Sequence, residues 1–143
     1  MRPAIALLIL ILASGIQFWL AGGGIFFNLV LTALIVFAFF FDFWEMALFV
    51  LFGVLVVNWQ PAMSMEIFLF AFIPLLIFAL HGAFRSQRWV TVPIAITCGL
   101  FVFYIVIAPH FFLNDPVAFL EDLFGSLIAG ELIFWVMYRI TKR

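Results

Sequence analysis

The stretch IFFNLVLTALIVFAFFFDFWEMALFVLFGVLVV (residues 25–57) decides the fold, because it is apolar almost throughout yet too long for one membrane-crossing helix. As a single helix it would extend roughly 50 Å, whereas the hydrocarbon core of a bilayer is about 30 Å thick. Its only charged residues are Asp42 and Glu45. The segment FFDFWEM (40–46) is therefore predicted to turn the chain at a membrane surface, with Trp44 at headgroup level.

The composition of the whole chain also favours a membrane environment. Its 143 residues are 69% hydrophobic and 9% charged, whereas a soluble domain has about 25% charged residues to cover its surface. A formal net charge of -1 offers no basic surface for nucleic acid, so nucleic acid is not expected as a partner. Lipid is therefore the expected surrounding medium.

Apolar runs on both sides of the opening stretch predict six membrane spans in a single domain covering residues 1–143. The spans are expected at about 4–21, 25–41, 45–60, 66–83, 89–109 and 119–138. The connecting loops are too short to hold a folded soluble domain. The predicted fold class is all-α, a compact bundle of six transmembrane helices.

The N-terminal segment MRPAIALLILILASGIQFWLAGGG (1–24) has a positive start, an apolar run and small residues after it, as a cleaved signal peptide would. The apolar run continues through Phe18, Trp19 and Leu20. We therefore expect an uncleaved first span, with cleavage as the alternative.

The basic residues test the number of crossings. With six spans, all of them fall on one side of the membrane, which should be the cytoplasm. They are Arg2, Arg85, Arg88, Arg139, Lys142 and Arg143. The sequence therefore predicts a multi-pass protein of the cytoplasmic (inner) membrane with both termini in the cytoplasm.

One carboxylate, Glu131, lies inside the apolar run LIAGELIFWV (127–136). An acid at the centre of a membrane helix costs about 2.5–3.5 kcal/mol, so it should face protein or water. Depth along the helices predicts an inner polar layer of Glu131, Thr97 and His81. In a structural interpretation, which we prefer, a protonated Glu131 bonds Thr97 or a backbone carbonyl, or meets a partner. In a functional interpretation, Glu131 titrates in proton- or cation-coupled transport with His81 as relay.

Four further residues suggest an outward-facing ligand pocket near the opposite membrane surface. Gln17 and Asn28 are expected at that depth, and Asn58 and Trp59 follow the third span. A pocket of this kind would need a cavity of a few hundred Å³.

The sixth span carries small residues at helical spacing, Gly125 with Ala129 and Ser126 with Gly130. This spacing lets helices approach closely. Together with the face that holds Glu131, it gives the sixth helix two faces turned away from lipid. We therefore expect that helix to be central in the bundle or to contact a second protein.

Five other acids are interpreted as helix-start or turn residues and not as a metal site. Asp115, Glu121 and Asp122 are expected at a helix start, where acids favour the helix dipole. Asp42 and Glu45 are expected to flank a cytoplasmic turn. The sequence contains no H-E-x-x-H, Walker, paired-cysteine or G-x-S-x-G motif, so we expect no enzyme activity, metal site or cofactor.

This layout resembles the MreD family of rod-shape-determining membrane proteins. Residues 28–56 correspond to its second and third spans joined by an aromatic-acidic turn, and a short basic tail follows FWVMYR (134–139). A glycine followed by an aspartate, frequent in the family's third span, corresponds here to Gly53 to Asn58, with an amide in place of the acid.

The resemblance implies a fold like that of the substrate-binding S components of energy-coupling-factor transporters. It also implies a non-catalytic scaffold role in cell shape and lateral-wall peptidoglycan synthesis. The implied partners are an MreC-like single-span coiled-coil protein, MreB and the elongation synthase complex of RodA with its penicillin-binding protein. The alternative is a small transport or ligand-binding subunit similar to an S component, although AIALLILILA (4–13) lacks the A-x-x-x-A docking pattern of those proteins.

Overall fold

The computed structural model describes residues 2–25, 27–57, 64–82, 88–109 and 114–142. Within these ranges the chain forms six α-helices and no strand, which confirms the all-helical prediction. The helices are α1 (Arg2–Gly22), α2 (Leu29–Phe37), α3 (Phe43–Val57), α4 (Met65–His81), α5 (Arg88–Ile107) and α6 (Pro116–Lys142). Each helix overlaps one of the six predicted spans.

Two helices in the described part of the chain are long and apolar enough to cross a membrane. They are Arg2–Gly22, which is α1, and Trp89–Ile107, which is nearly all of α5. The helices α3 and α4 are also apolar, but they are shorter.

The helix α2 occupies the centre of the bundle, and all nine of its residues are buried. All five other helices pack against it. At 1.5 Å per residue α2 is about 14 Å long, less than half of a hydrocarbon core. The prediction of one helix over about 25–41 is therefore wrong in extent, because Phe27 and Asn28 are not helical and residues 38–40 form turns. The sixth helix, for which a central position or a contact with a second protein is predicted, packs against α1, α2 and α5.

The chain turns between α2 and α3 at the aromatic-acidic segment. The carboxylate of Glu45, in the first turn of α3, accepts the backbone N–H of Asp42 at 3.4 Å. The backbone N–H of Met46 donates to the carbonyl of Asp42 at 2.9 Å. Trp44 is 78% exposed beside this turn, where an interfacial tryptophan would meet lipid headgroups.

Two glycines of α6 set how closely it approaches its neighbours. A Cβ atom on Gly130 would lie 2.3 Å from Cδ1 of Ile96 in α5 and 3.0 Å from Cγ2 of Thr32 in α2. A Cβ atom on Gly125 would lie 2.7 Å from Cε1 of Phe27. The small-residue face of α6 is thus the face that packs on α2 and α5.

The two ends of the described chain lie at the same end of the bundle. Nη2 of Arg2 donates to the backbone carbonyl of Thr141 at 3.3 Å, which joins the start of α1 to the end of α6. The ring of Trp89, near the start of α5, lies 5.5 Å from the ring of Tyr138. The starts of α1 and α5 therefore meet the end of α6.

Candidate functional site

The main polar feature of the described structure is a cluster around Asp122, a residue of α6 that is only 1% exposed. Oδ1 of Asp122 accepts the backbone N–H of Asn28 at 2.9 Å and the hydroxyl of Ser126 at 3.0 Å. Oδ2 accepts Nδ2 of Asn28 at 3.0 Å and the hydroxyl of Tyr104. These four donors match the roughly four acceptor positions of an ionised carboxylate. We call Asn28, Tyr104, Asp122 and Ser126 the Asp122 cluster.

Asn28 closes the cluster into a ring of hydrogen bonds. Its side-chain Nδ2 also donates to the hydroxyl of Tyr104, at 2.8 Å. One amide hydrogen thus serves Tyr104 of α5 while the other serves Asp122 of α6. The cluster therefore ties α5 and α6 to the residue that precedes α2.

The cluster lies at the N-terminus of α2, where backbone N–H groups have no partner within the helix. The side chain of Asn28, the N-cap residue, makes no capping bond. Side chains of other helices therefore supply the hydrogen-bond acceptors. Gln17 of α1 accepts the N–H of Val30 on its Oε1 at 3.0 Å, and Asp122 accepts the N–H of Asn28. A negative charge at this position also favours the helix dipole. Two helices thus supply the acceptors that this buried helix end needs.

The chemistry available to the Asp122 cluster is structural. The hydrogen bonds of Asp122 end on other cluster members or on the backbone before α2. In the described ranges, no group of three or more His, Cys, Asp or Glu residues is placed to hold a metal ion. The cluster therefore acts as a brace that joins three segments of the bundle.

The predicted inner polar layer is not joined by hydrogen bonds. Oε1 of Glu131 is buried and has no hydrogen-bond partner. The hydroxyl of Thr97 donates instead to the carbonyl of Pro93 at 2.9 Å, and Nδ1 of His81 donates to the carbonyl of Phe78. Both acceptors are backbone carbonyls of the same helix, three or four residues earlier. Such local bonds need no particular packing of a second helix. The expected bond between Glu131 and Thr97 is therefore wrong.

Two of the four residues predicted for the outer pocket lie in the described part of the chain. Gln17 and Asn28 do come together, but they do so at the start of α2, where both bond backbone or cluster atoms. Asn58 and Trp59 lie outside the described residues. The two described members therefore brace the start of α2 through Oε1 of Gln17 and Nδ2 of Asn28.

The roles of Asp122 and Tyr104 were not predicted from the sequence. Asp122 was assigned to a helix start, yet it lies buried in the second turn of α6. The sequence does contain a pattern that predicts a buried role for Asp122, because Asp122 and Ser126 lie on one face of the helix. A carboxylate on a face that packs against other helices must be hydrogen-bonded. Tyr104 had no comparable signal, since its apolar surroundings in the sequence do not distinguish it from its neighbours.

Compared with known protein families, curated proteins and solved structures, the chain shows no match. The fold and the Asp122 cluster nevertheless define a class: an all-helical protein with membrane-length apolar helices, whose buried polar residues join one helix to another. These comparisons add no support to the resemblance to the MreD family.

Proposed function

We propose that this chain is a multi-pass protein of the cytoplasmic membrane that works without catalysis as an assembly partner for other membrane proteins. Its exposed surface supports a membrane location. Large apolar side chains are exposed on helix after helix, including Leu8 at 55%, Leu48 at 67% and Ile128 at 64%. Soluble monomers rarely expose contiguous apolar patches larger than a few hundred Å². In a membrane these side chains contact lipid instead of water, so their exposure does not cost the free energy of hydrating apolar surface.

Contacts at the bundle ends support an even number of crossings in this proposal. The hydrogen bond from Arg2 to the carbonyl of Thr141 joins the first described helix to the last at one end of the bundle. The ring contact between Trp89 and Tyr138 adds the start of α5 to the same end. The basic residues at the ends of these three helices then face one compartment, which the bias of basic loops identifies as the cytoplasm.

We assign the partner contact to an apolar stripe on the outer face of α6, because α6 is the helix whose small-residue face and Glu131 predict a protein contact. A stripe of the same spacing on α4, Phe68, Phe72, Leu76 and Leu80, is assigned to lipid. The stripe on α6 consists of Leu120, Phe124, Ile128 and Leu132, four residues apart along the helix, which are 48%, 63%, 64% and 62% exposed. Positions spaced by four lie on one side of a helix, so the stripe is continuous. The opposite side of α6 holds Asp122 and packs within the bundle. A single membrane-spanning helix of a partner would fit along this stripe.

The resemblance to the MreD family supplies the identity of the proposed partner. It would be an MreC-like single-span protein with a coiled-coil segment, in the machinery of cell shape and peptidoglycan elongation. A photo-crosslinking residue at Ile128 in native membranes tests this proposal, with Leu8 of α1 as the matched exposed control. We expect a discrete protein adduct at Ile128 and lipid adducts alone at Leu8. The absence of any protein adduct at Ile128 would contradict the assembly role.

A second candidate function, a small transport subunit, rests on Glu131. Oε1 of Glu131 is buried without a hydrogen-bond partner, and such a group costs free energy that a role in function would explain. In a proton- or cation-coupled transporter that purpose would be titration during the transport cycle. Thermal stabilisation by a transported ligand or ion would favour this candidate over the assembly role.

A further inference from the structure

The carboxyl group of Glu131 receives no hydrogen bond from the described part of its own chain. Oε1 is buried and has no partner. Oε2 has no hydrogen bond within the described residues either, yet it is not enclosed, and the side chain as a whole is only partly buried. Glu131 therefore presents an unbonded carboxyl oxygen at the surface of α6.

Hydroxyl groups near this level of the bundle donate to other acceptors. Thr97 bonds a backbone carbonyl of its own helix at 2.9 Å. Thr32, whose Cγ2 would lie 3.0 Å from a Cβ atom on the adjacent Gly130, bonds the carbonyl of Asn28 at 2.9 Å. These neighbouring hydroxyls therefore leave the carboxyl group of Glu131 without a donor.

Glu131 lies too deep in the proposed membrane for water or lipid headgroups to supply that donor. At 1.5 Å per residue, it is about 12 Å from Arg139 and about 16 Å from Lys142 along α6, at the basic end of the helix. Half of a hydrocarbon core is about 15 Å. Polar groups at that depth are satisfied by protein, because lipid tails offer no hydrogen-bond donor.

The carboxyl group lies beside the apolar stripe of α6. Side chains of a helix lean toward its N-terminus, so Glu131 covers the turn that holds Leu127 and Ile128. Ile128, three residues before Glu131, is in the middle of the stripe and is 64% exposed. A helix packed along the stripe would therefore pass within reach of Oε2.

The inner end of α6 disfavours a second copy of this chain as the occupant of the stripe. Arg139 lies over the ring of Trp135 at 4.2 Å, and Lys142 lies over the ring of Tyr138 at 4.6 Å. In the described ranges, neither cation is paired with a carboxylate. A twofold axis along the membrane normal would bring these cations beside their own counterparts, which repel. The occupant is therefore a different chain.

We propose that the membrane-spanning helix of the partner carries one uncharged hydrogen-bond donor, a hydroxyl or a carboxamide, that bonds Oε2 of Glu131 beside Ile128. The inference rests on the proposed assembly role, whose partner it describes by its chemistry. Serine, threonine, asparagine and glutamine side chains join membrane helices in this way. A cationic side chain is much more costly to insert at this depth, so an uncharged donor is favoured.

Energy transfer in lipid vesicles between the full chain and a synthetic leucine helix tests the proposal. One such helix of about 20 residues carries a single asparagine at its middle, and a second helix carries leucine only. The wild-type protein should bind the asparagine helix about three- to tenfold more tightly, the range that one hydrogen bond between membrane helices supports. Because the asparagine is at the middle, both orientations of the helix in the bilayer place it near the depth of Glu131.

Variants of the protein assign this preference to Glu131. Glu131→Leu should remove the preference, whereas Glu131→Gln should keep it, because an amide oxygen also accepts a hydrogen bond. Glu121→Leu changes an exposed acid of the same helix and should behave as the wild type does. Moving the asparagine of the synthetic helix by seven residues, or about 10 Å, should also remove the preference.

Equal binding of the two synthetic helices by the wild type, or a preference that survives Glu131→Leu, would overturn the proposal. A preference lost in Glu131→Gln would overturn it too, because an uncharged donor bonds the amide as well. In native membranes, a photo-adduct at Ile128 with twice the mass of the chain would identify a second copy and so contradict the proposal. A partner adduct at Ile128 that is unchanged in Glu131→Leu would refute the donor but leave the assembly role intact, whereas the absence of any protein adduct would refute the assembly role itself.

Discussion

Asp122 in α6 accepts the backbone N–H of Asn28, the N-cap residue that precedes α2, across 94 positions of the sequence. This bond supplies an acceptor to a buried helix end that water cannot reach. Because α2 is the centre of the bundle, the position of α6 and the start of α2 depend on each other. The stability of the whole fold should therefore respond to Asp122 more strongly than to any exposed acid.

Replacing Asp122 by alanine should destabilise the protein by about 3 kcal/mol, because several buried donors lose their acceptor at once. Asp122→Asn should cost less, since one carbonyl oxygen remains. Thermal unfolding in detergent, followed by circular dichroism, measures the effect. Glu121→Ala removes a neighbouring but exposed acid and should change stability by less than about 0.5 kcal/mol. Equal effects at positions 121 and 122 would contradict the role of Asp122.

Tyr104→Phe removes only the hydroxyl that donates to Asp122 and accepts from Asn28. The expected cost is about 1–2 kcal/mol, the usual range for a lost buried hydrogen bond. Tyr138→Phe, at the other tyrosine of the chain, is the matched control and should be nearly neutral. Combining Tyr104→Phe with Ser126→Ala should give a non-additive result, because both hydroxyls serve the same carboxylate. Strict additivity would mean that the two bonds act independently.

Gly130→Leu should destabilise the protein by about 1–3 kcal/mol, because a side chain there meets Ile96 and Thr32. Gly15→Leu in α1 is the control, since a Cβ atom at Gly15 has no atom within 4 Å. The control should leave stability unchanged or raise it by up to about 1 kcal/mol, as leucine favours a helix over glycine. Unfolding temperatures of the two variants decide the matter, and a destabilised Gly15→Leu with a normal Gly130→Leu would be the contrary result.

Glu131→Gln separates the two proposed functions. Oε1 of Glu131 makes no hydrogen bond, so no bond is lost when an amide of the same shape replaces the acid. The assembly role therefore predicts normal folding, normal partner capture and normal cell shape in a complementation test. A transport role with a titrating Glu131 predicts a folded protein that has lost function. Glu121→Gln, at an exposed acid of the same helix, controls for the change in charge.

The sequence located the helices well, because polar and charged residues mark where apolar runs end. Asp42 and Glu45 mark the turn before α3, and the basic residues mark the end at which Arg2 meets Thr141. The length of α2 could not be read in the same way. The residues of α2 are apolar on every face of the helix, so no polar residue marks where it ends. Its start is determined by hydrogen bonds to Gln17 of α1 and Asp122 of α6, which are distant in the sequence.

The candidate site was predicted only in part, for a related reason. Asn28 and Gln17 stand out as polar residues within apolar runs, but their partners are set by how the helices pack. The hydrogen bond between Glu131 and Thr97 was predicted only from their equal depth in the membrane. Depth does not exclude a bond from Thr97 to its own helix, which is the bond that forms.

Cysteine accessibility in intact cells tests the central claim most directly, which is that α1 begins and α6 ends on the same side of the membrane. Single cysteines would replace Arg2, Lys142 and Val117 in a Cys98→Ser background. We predict that positions 2 and 142 react with a membrane-impermeant maleimide from the cytoplasmic side alone, and that position 117 reacts from the outer side. Labelling of positions 2 and 142 from opposite sides would contradict the account.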